Sequence, residues 1–114
     1  MDKICIVGFG RIGSVIGSYL AENKNNIVYG IDQNKNIINN FKHNINIFKE
    51  PGLQLKVKRA LKNKRLYLTN NFNIISKCKY IIICVGTPLI KNSQKIDTSY
   101  LKNSFDKIKK YLNK

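Results

Sequence analysis

The feature that most constrains this fold is an apolar run, Lys3 to Val7, that ends on Gly8-Phe9-Gly10-Arg11-Ile12-Gly13. After a helical stretch and a second apolar run, Ile27 to Ile31, it is answered by Asp32. A buried strand must turn there and start a helix within a few residues. Gly8 permits the tight turn, Gly10 lets the backbone approach a ligand, and Gly13 lets the helix pack on the strand. The helix start offers unpaired N–H groups and the positive end of the macrodipole, which together bind phosphate without a charged side chain. A carboxylate at the end of the second strand can accept hydrogen bonds from ribose hydroxyls. A glycine-rich turn between strand and helix is often only a turn. With both strands, the helix and the acid in sequence, the pattern predicts a dinucleotide site. Asp32 favours NAD over NADP, since it repels a 2'-phosphate; Lys35 close by tempers that preference.

The rest of the chain alternates strand and helix. The first helix is predicted from Arg11 to about Asn23, with Ile12, Ile16, Tyr19 and Leu20 on one face. A short helix follows from Lys35 to Phe41, then an irregular stretch through Ile47 and Phe48. Pro51 and Gly52 mark a break before a helix with Leu53, Val57, Ala60 and Leu61 inward and Lys56, Lys58, Arg59, Lys62 and Lys64 on a solvated face. Arg65 to Thr69 reads as a third strand, Asn71 as a helix cap, and Lys79 to Val85 as a fourth strand buried on both faces. After Gly86-Thr87-Pro88 and a polar loop from Lys91 to Lys95, Asp97 or Thr98 caps a last helix carrying Leu101, Phe105, Ile108 and Leu112 on one side. Right-handed crossovers make this an α/β, Rossmann-type doubly wound parallel sheet. It is a half fold of about four strands in the order 3-2-1-4, one domain over residues 1–114, with the nucleotide across the carboxyl ends of strands 1 and 4.

The chain has 114 residues and a formal charge of +15, a size for one domain and a charge that raises nucleic acid as a partner. The charge comes from 18 Lys and only 3 Arg, beside 18 Ile and 16 Asn. This is the skew of an A/T-rich coding sequence, whereas binders of nucleic acid favour arginine. No aromatic-interleaved basic patch accompanies it, so a nucleic-acid role is the weakest reading. Cys5, Cys78 and Cys84 show neither metal spacing nor a disulfide framework. Cys5 and Cys84, set in apolar runs, read as core residues. No metal site is expected. The start of the sequence does not read as a signal peptide, and its longest apolar run, Tyr80 to Val85, is too short to span a bilayer. A cytoplasmic protein is expected.

Four patterns in order, Lys3 to Gly13, Gly30-Ile31-Asp32, Glu50-Pro51-Gly52-Leu53, and Val85-Gly86-Thr87-Pro88 followed by Asp97-Thr98-Ser99-Tyr100, resemble the N-terminal NAD-binding part of the UDP-glucose/GDP-mannose dehydrogenase family. The opening Gly-Phe-Gly-Arg-Ile-Gly also resembles the start of a glyceraldehyde-3-phosphate dehydrogenase, but that family lacks the later motifs. The resemblance covers nearly the whole chain. It implies an oxidoreductase of nucleotide-sugar metabolism that oxidises a sugar-nucleotide C6 alcohol to a carboxylate with two NAD. Gly8, Gly10, Arg11, Ile12 and Gly13 would form the pyrophosphate turn, Asp32 and Lys35 would serve the ribose, and Val85, Gly86 and Thr87 would line the cofactor groove. The Thr87 hydroxyl fits two roles: a bond near the nicotinamide ribose or a reacting water, or satisfaction of the turn. Glu50 reads as the cap of the helix after Pro51 rather than as an interface carboxylate.

This sequence departs from the family where Gly-Tyr-Val-Gly-Leu-Pro is usual and Gly10-Arg11-Ile12-Gly13-Ser14-Val15 stands. It also contains no Gly-Gly-x-Cys-x-Pro-Lys-Asp segment, where the family carries its catalytic cysteine. Cys5, Cys78 and Cys84 lack the exposed, electropositive setting of a nucleophile. His43, alone among polar residues, reads as surface. No catalytic residue is assigned. The expectation is an NAD-binding domain, inactive alone, that meets a sugar nucleotide only through further domains or a separate catalytic segment. A stand-alone NAD-binding or regulatory module is the alternative.

Overall fold

A computed structural model describes every residue of the chain except 46, 47, 92, 113 and 114. Four parallel strands, β1 (Asp2–Val7), β2 (Asn26–Ile31), β3 (Leu66–Thr69) and β4 (Tyr80–Ile83), form one sheet in the order β3-β2-β1-β4. Helices α1 (Arg11–Leu20), α2 (Lys35–Lys42), α3 (Leu53–Lys62) and α4 (Ser99–Tyr111) and a 3₁₀ turn, Phe72–Lys77, connect or follow the strands. The expected order and alternation hold. The irregular stretch after α2 lies partly outside the described residues, at Ile47.

Strand β1 is central and buried on both faces because its residues alternate between two cores. Ile4 and Ile6 pack with Val28, Leu66, Leu68 and residues of α1, α2 and α3. Cys5 and Val7 pack on the opposite face with Ile31, Phe72, Ile75 and Ile108 of α4. Pairing in register, Val7 opposite Ile31 on one side and Ile83 on the other, brings the carboxyl ends of β1, β2 and β4 to one edge of the sheet. Parallel sheets place their sites at that edge, at the point where strand order reverses between β1 and β4.

Four expectations are corrected. Helix α1 ends at Leu20, and its inward face is Gly13, Ser14, Gly17 and Ser18, whereas Ile12 and Tyr19 are 63% and 66% exposed. The helix lies so close to the sheet that only small residues fit: a Cβ on Gly17 would stand 2.9 Å from the Phe9 ring. Strand β4 is shorter than expected and is not buried on both faces; Tyr80 is exposed and Ile81 to Ile83 are half-buried. It is the edge of the sheet, paired among the described residues only with β1. Cys84 consequently lies one residue beyond the strand and is half-buried, not a strand-interior core residue. In α4 the inward stripe is Leu101, Ser104, Ile108 and Tyr111, while Phe105 and Leu112 are exposed. The stripe at helical spacing ran one residue away from the one the apolar pattern marked.

Both turn caps behave as asparagine and aspartate do at such positions. Asn71 Oδ1 accepts from the Asn73 N–H at 3.1 Å and Asp97 Oδ1 from the Ser99 N–H at 2.9 Å, although Thr98 holds the N-cap position of α4. The loop 91–95, of which residue 92 lies outside the described residues, is closed by an antiparallel bridge between Leu89 and Ile96.

Candidate functional site

The turn after β1 is fixed by a glycine in left-handed backbone. Gly8 has φ +94°, and a Cβ there would stand 2.9 Å from the Cys84 carbonyl carbon, so any side chain would be both strained and blocked. Phe9 turns inward and is fully buried, edge-on to Phe41 at 5.2 Å between ring centroids. Gly10 then caps α1 in extended backbone and has open space where a Cβ would be. Gly13 lies directly beneath, where a Cβ would overlap the Gly8 carbonyl. The first bond of the helix runs from the Ser14 N–H to Gly10 O at 2.9 Å, which leaves the N–H groups of Arg11, Ile12 and Gly13 at the helix start without intrahelical acceptors. An open backbone surface at Gly10 above free N–H groups fits a pyrophosphate, which needs close approach and donors rather than side chains.

Asp32 binds the end of β2 to that turn. Its Oδ2 accepts from the Phe9 N–H at 2.8 Å and its Oδ1 from the Asn34 N–H at 2.9 Å. A carboxylate has about four lone-pair sites, so each oxygen keeps one for a ribose hydroxyl. Asn34 in turn caps α2 through the Asn36 N–H at 2.9 Å.

A cleft of about 260 Å³ runs along this edge. It gathers Gly8, Gly10, Asp32, Val85 and Gly86 of the expected set, and an adjoining outer lobe adds Thr87 beside Asp32 and Gly86. The other four expected residues do not line it. Gly13 is buried below the turn, Ile12 points to solvent, and Lys35 is exposed on the first turn of α2. Arg11 extends to Glu50, with Nε 3.7 Å from Oε1. For Arg11, Ile12 and Gly13 only the backbone is placed to serve a phosphate. Glu50 is likewise corrected: Gly52 holds the N-cap of α3 with no side-chain bond, and the Glu50 carboxylate faces Arg11 instead.

The cleft also contains residues that the sequence pattern did not mark: Gln33, Asn34, Ile37, Phe72, Tyr100 and Ser104. The Asp-x-Asn spacing of Asp32 and Asn34 carried a signal for a capped turn, and Tyr100 stood in a quoted motif without a role. Ser104 carried none, being a polar residue on what the pattern treats as an apolar helix face. Lys107 reaches across from α4 to Gln33 Oε1 at 3.0 Å and stands 5.0 Å from the Phe72 ring centroid, joining α4 to the β2–α2 loop.

Cys84 also borders the cleft. Burial pushes its thiol up from the ordinary value, which keeps it protonated and poorly nucleophilic. The neighbouring Cys78 thiol and burial push the Cys5 thiol up. His43 is exposed at the end of α2, its Nδ1 2.8 Å from Asn39 O. Among the described residues, no group of three or more His, Cys, Asp or Glu is arranged to hold a metal. None of their helices is long and apolar enough to cross a membrane.

The chain is similar to several sugar-nucleotide dehydrogenases. A UDP-N-acetyl-D-mannosamine dehydrogenase of Methanococcus maripaludis is 34% identical over 115 residues, covering 98% of this chain and 26% of its own length. A UDP-glucose 6-dehydrogenase of Bacillus subtilis is 35% identical, covering 99% of this chain and 24% of its own. The structure of a ternary complex of GDP-mannose dehydrogenase from Pseudomonas aeruginosa superposes with a TM-score of 0.84 at 28% identity, over 92% of this chain and 24% of that one. The chain thus spans about a quarter of the length of these relatives. The model of the UDP-glucose/GDP-mannose dehydrogenase family, NAD binding domain, matches residues 2–114. The cofactor of this domain is NAD, and the chain belongs to the UDP-glucose/GDP-mannose dehydrogenase family.

Proposed function

We propose that this chain is the cofactor-holding part of a sugar-nucleotide 6-dehydrogenase, and that its NAD lies along the cleft from Gly10 to Asp32 and Val85. The observation that carries the reading is the pairing of the Asp32 carboxylate with the Phe9 N–H, which sets a ribose acceptor beside an open helix start. In this arrangement Gly8, Gly10 and the N–H groups of Arg11, Ile12 and Gly13 take the pyrophosphate. Asp32 takes the adenosine ribose, with Lys35 near it. Val85, Gly86 and Thr87 line the wall toward the nicotinamide half. When bound, NAD supplies the hydride acceptor. The residues of this chain bind and orient it.

Relatives four times longer act on UDP-N-acetyl-D-mannosamine or UDP-glucose by name, so a sugar nucleotide is the substrate class we propose for the whole enzyme. It would reach the cofactor through a catalytic segment outside these residues. The open edge of β4, with Leu89, Ile90 and Ile96 exposed beyond it, supports association with such a segment. Cys5, Cys78 and Cys84 form no disulfide, which supports the cytoplasm as the compartment we propose.

Calorimetric titration with NAD and NADP tests the assignment. NAD is expected to bind and NADP to bind more weakly. Tighter binding of NADP, or no binding of either at millimolar concentration, overturns it.

A further inference from the structure

Three serines are fully buried in this domain, Ser14, Ser18 and Ser104. Two of them satisfy their hydroxyls within α1: Ser14 Oγ donates to Arg11 O at 3.0 Å and Ser18 Oγ to Val15 O at 3.1 Å. Ser104, in the same kind of helical backbone, does not. Its Oγ is the one buried side-chain oxygen or nitrogen among the described residues without a hydrogen-bond partner. It also stands in the wall of the cleft. A buried hydroxyl left unpaired is costly, and groups of this kind in a native fold call for a partner.

We propose that Ser104 is a cofactor-binding residue whose hydroxyl hydrogen-bonds the adenine base of NAD. The inference rests on the reading of the cleft given above. If the pyrophosphate lies at Gly10 and the ribose at Asp32, the base occupies the remaining part of the cleft. That part is bounded by Ile37, Phe72 and Tyr100, an apolar slot suited to the faces of a flat ring. Within it Ser104 supplies a hydroxyl, able to donate to a ring nitrogen or accept from the exocyclic amine. Contact with the base requires Oγ, which is sheltered in the free protein, to turn toward the ring edge. The bond offsets the cost that the free protein bears, so it adds to affinity for the adenosine half of the cofactor and leaves the nicotinamide half untouched.

The test is titration of the wild-type chain and Ser104→Ala with NAD and with ADP-ribose, alongside thermal melts of both proteins without ligand. The alanine variant is expected to bind NAD and ADP-ribose about five- to tenfold more weakly, by the same factor for each. Unliganded, it should melt no lower than wild type, because no bond within the protein is lost. Ser104→Cys, a near-isosteric change to a weaker donor, should fall between the two. Wild-type affinity in Ser104→Ala, a loss seen with NAD but not with ADP-ribose, or a lower melting temperature of the free variant would overturn the role of Ser104. Failure of the wild-type chain to bind NAD would instead overturn the reading of the cleft itself.

Discussion

The Phe9 N–H donates to Asp32 Oδ2 at 2.8 Å across 23 residues of sequence, so the carboxylate that borders the cleft also holds the glycine turn to the end of β2. In the proposed function, binding and folding therefore share one side chain. Replacing Asp32 by Ala should weaken NAD binding by about 1.5 to 3 kcal/mol, the range for hydrogen bonds to a charged group. It should also lower the melting temperature, because the Phe9 and Asn34 N–H groups lose their acceptor. Calorimetry and thermal melts on the same variant check both. Asp32→Asn keeps an oxygen for one N–H and should recover part of the stability while the preference for NAD over NADP narrows. Unchanged NAD affinity in both variants would remove Asp32 from the site.

Substitutions at Gly10 and Gly13 should separate binding from folding. A side chain at Gly10 meets nothing within 4 Å, whereas one at Gly13 overlaps the Gly8 carbonyl. Gly10→Val should thus fold with near-normal stability and lose NAD binding by obstructing the pyrophosphate. Gly13→Ala should lose stability first, by roughly 1 to 3 kcal/mol as overpacking does. Denaturant unfolding beside NAD titration distinguishes the two, and a Gly10→Val variant that binds NAD normally would refute the turn as the phosphate site.

The fold was legible because its signals are local. The apolar run of β1, the glycine turn and the Asn and Asp caps each depend on a few adjacent residues, and they appear where the pattern placed them. What the sequence hid depends on proximity. The inward face of α1 is made of glycine and serine because Phe9 fills the space beneath it, and no apolar periodicity marks such a face. The half-burial of β4 follows from its place at the edge of the sheet, which composition does not record. Glu50 was misread for the same reason: its partner, Arg11, is 39 residues away in sequence and 3.7 Å away in space.

The cysteines should respond to pH and to cofactor in distinct ways. Burial raises the Cys84 thiol above its ordinary value of 9.0, so the folded form stays protonated where the unfolded form ionises. Its contribution to stability is full below about pH 9 and is lost as pH rises beyond that. Cys84→Ala should flatten the decline of melting temperature on the alkaline side. The neighbouring Cys5 thiol lowers Cys78 against the opposing effect of burial, so Cys78 should alkylate before Cys84 at neutral pH. NAD should slow alkylation of Cys84, which borders the cleft, and not of Cys78. Mass spectrometry of iodoacetamide-treated protein reads the order directly.

The lysine-rich face of α3 should behave as a solvated surface. Lys56 already stands 3.5 Å from Glu22, and the other cations of that helix are spread along its exposed side. Any association with DNA or RNA is expected to ignore sequence and to weaken steeply with added salt, as counterion release dictates. Filter binding at low and physiological salt checks this, and a tight complex at physiological salt would revive a nucleic-acid role.

The 114-residue chain by itself should produce no NADH from UDP-glucose, GDP-mannose or a related sugar nucleotide. The family resemblance implies that oxidation from alcohol to acid proceeds through a thioester on a cysteine in a Gly-Gly-x-Cys-x-Pro-Lys-Asp segment, and these residues contain none. The cysteines present do not replace it. Cys5 is fully buried, and Cys84, which does border the cleft, is held protonated by burial. Hydride transfer further requires a substrate held against the nicotinamide, and fixing two reactants in place is worth roughly 7 to 11 kcal/mol of barrier. Under the proposed function that positioning comes from a catalytic segment outside these residues. Absorbance at the NADH band in the presence of each sugar nucleotide is the measurement. Turnover by the chain alone that disappears on replacing Cys5, Cys78 or Cys84 would show that the catalytic thiol lies within this domain after all.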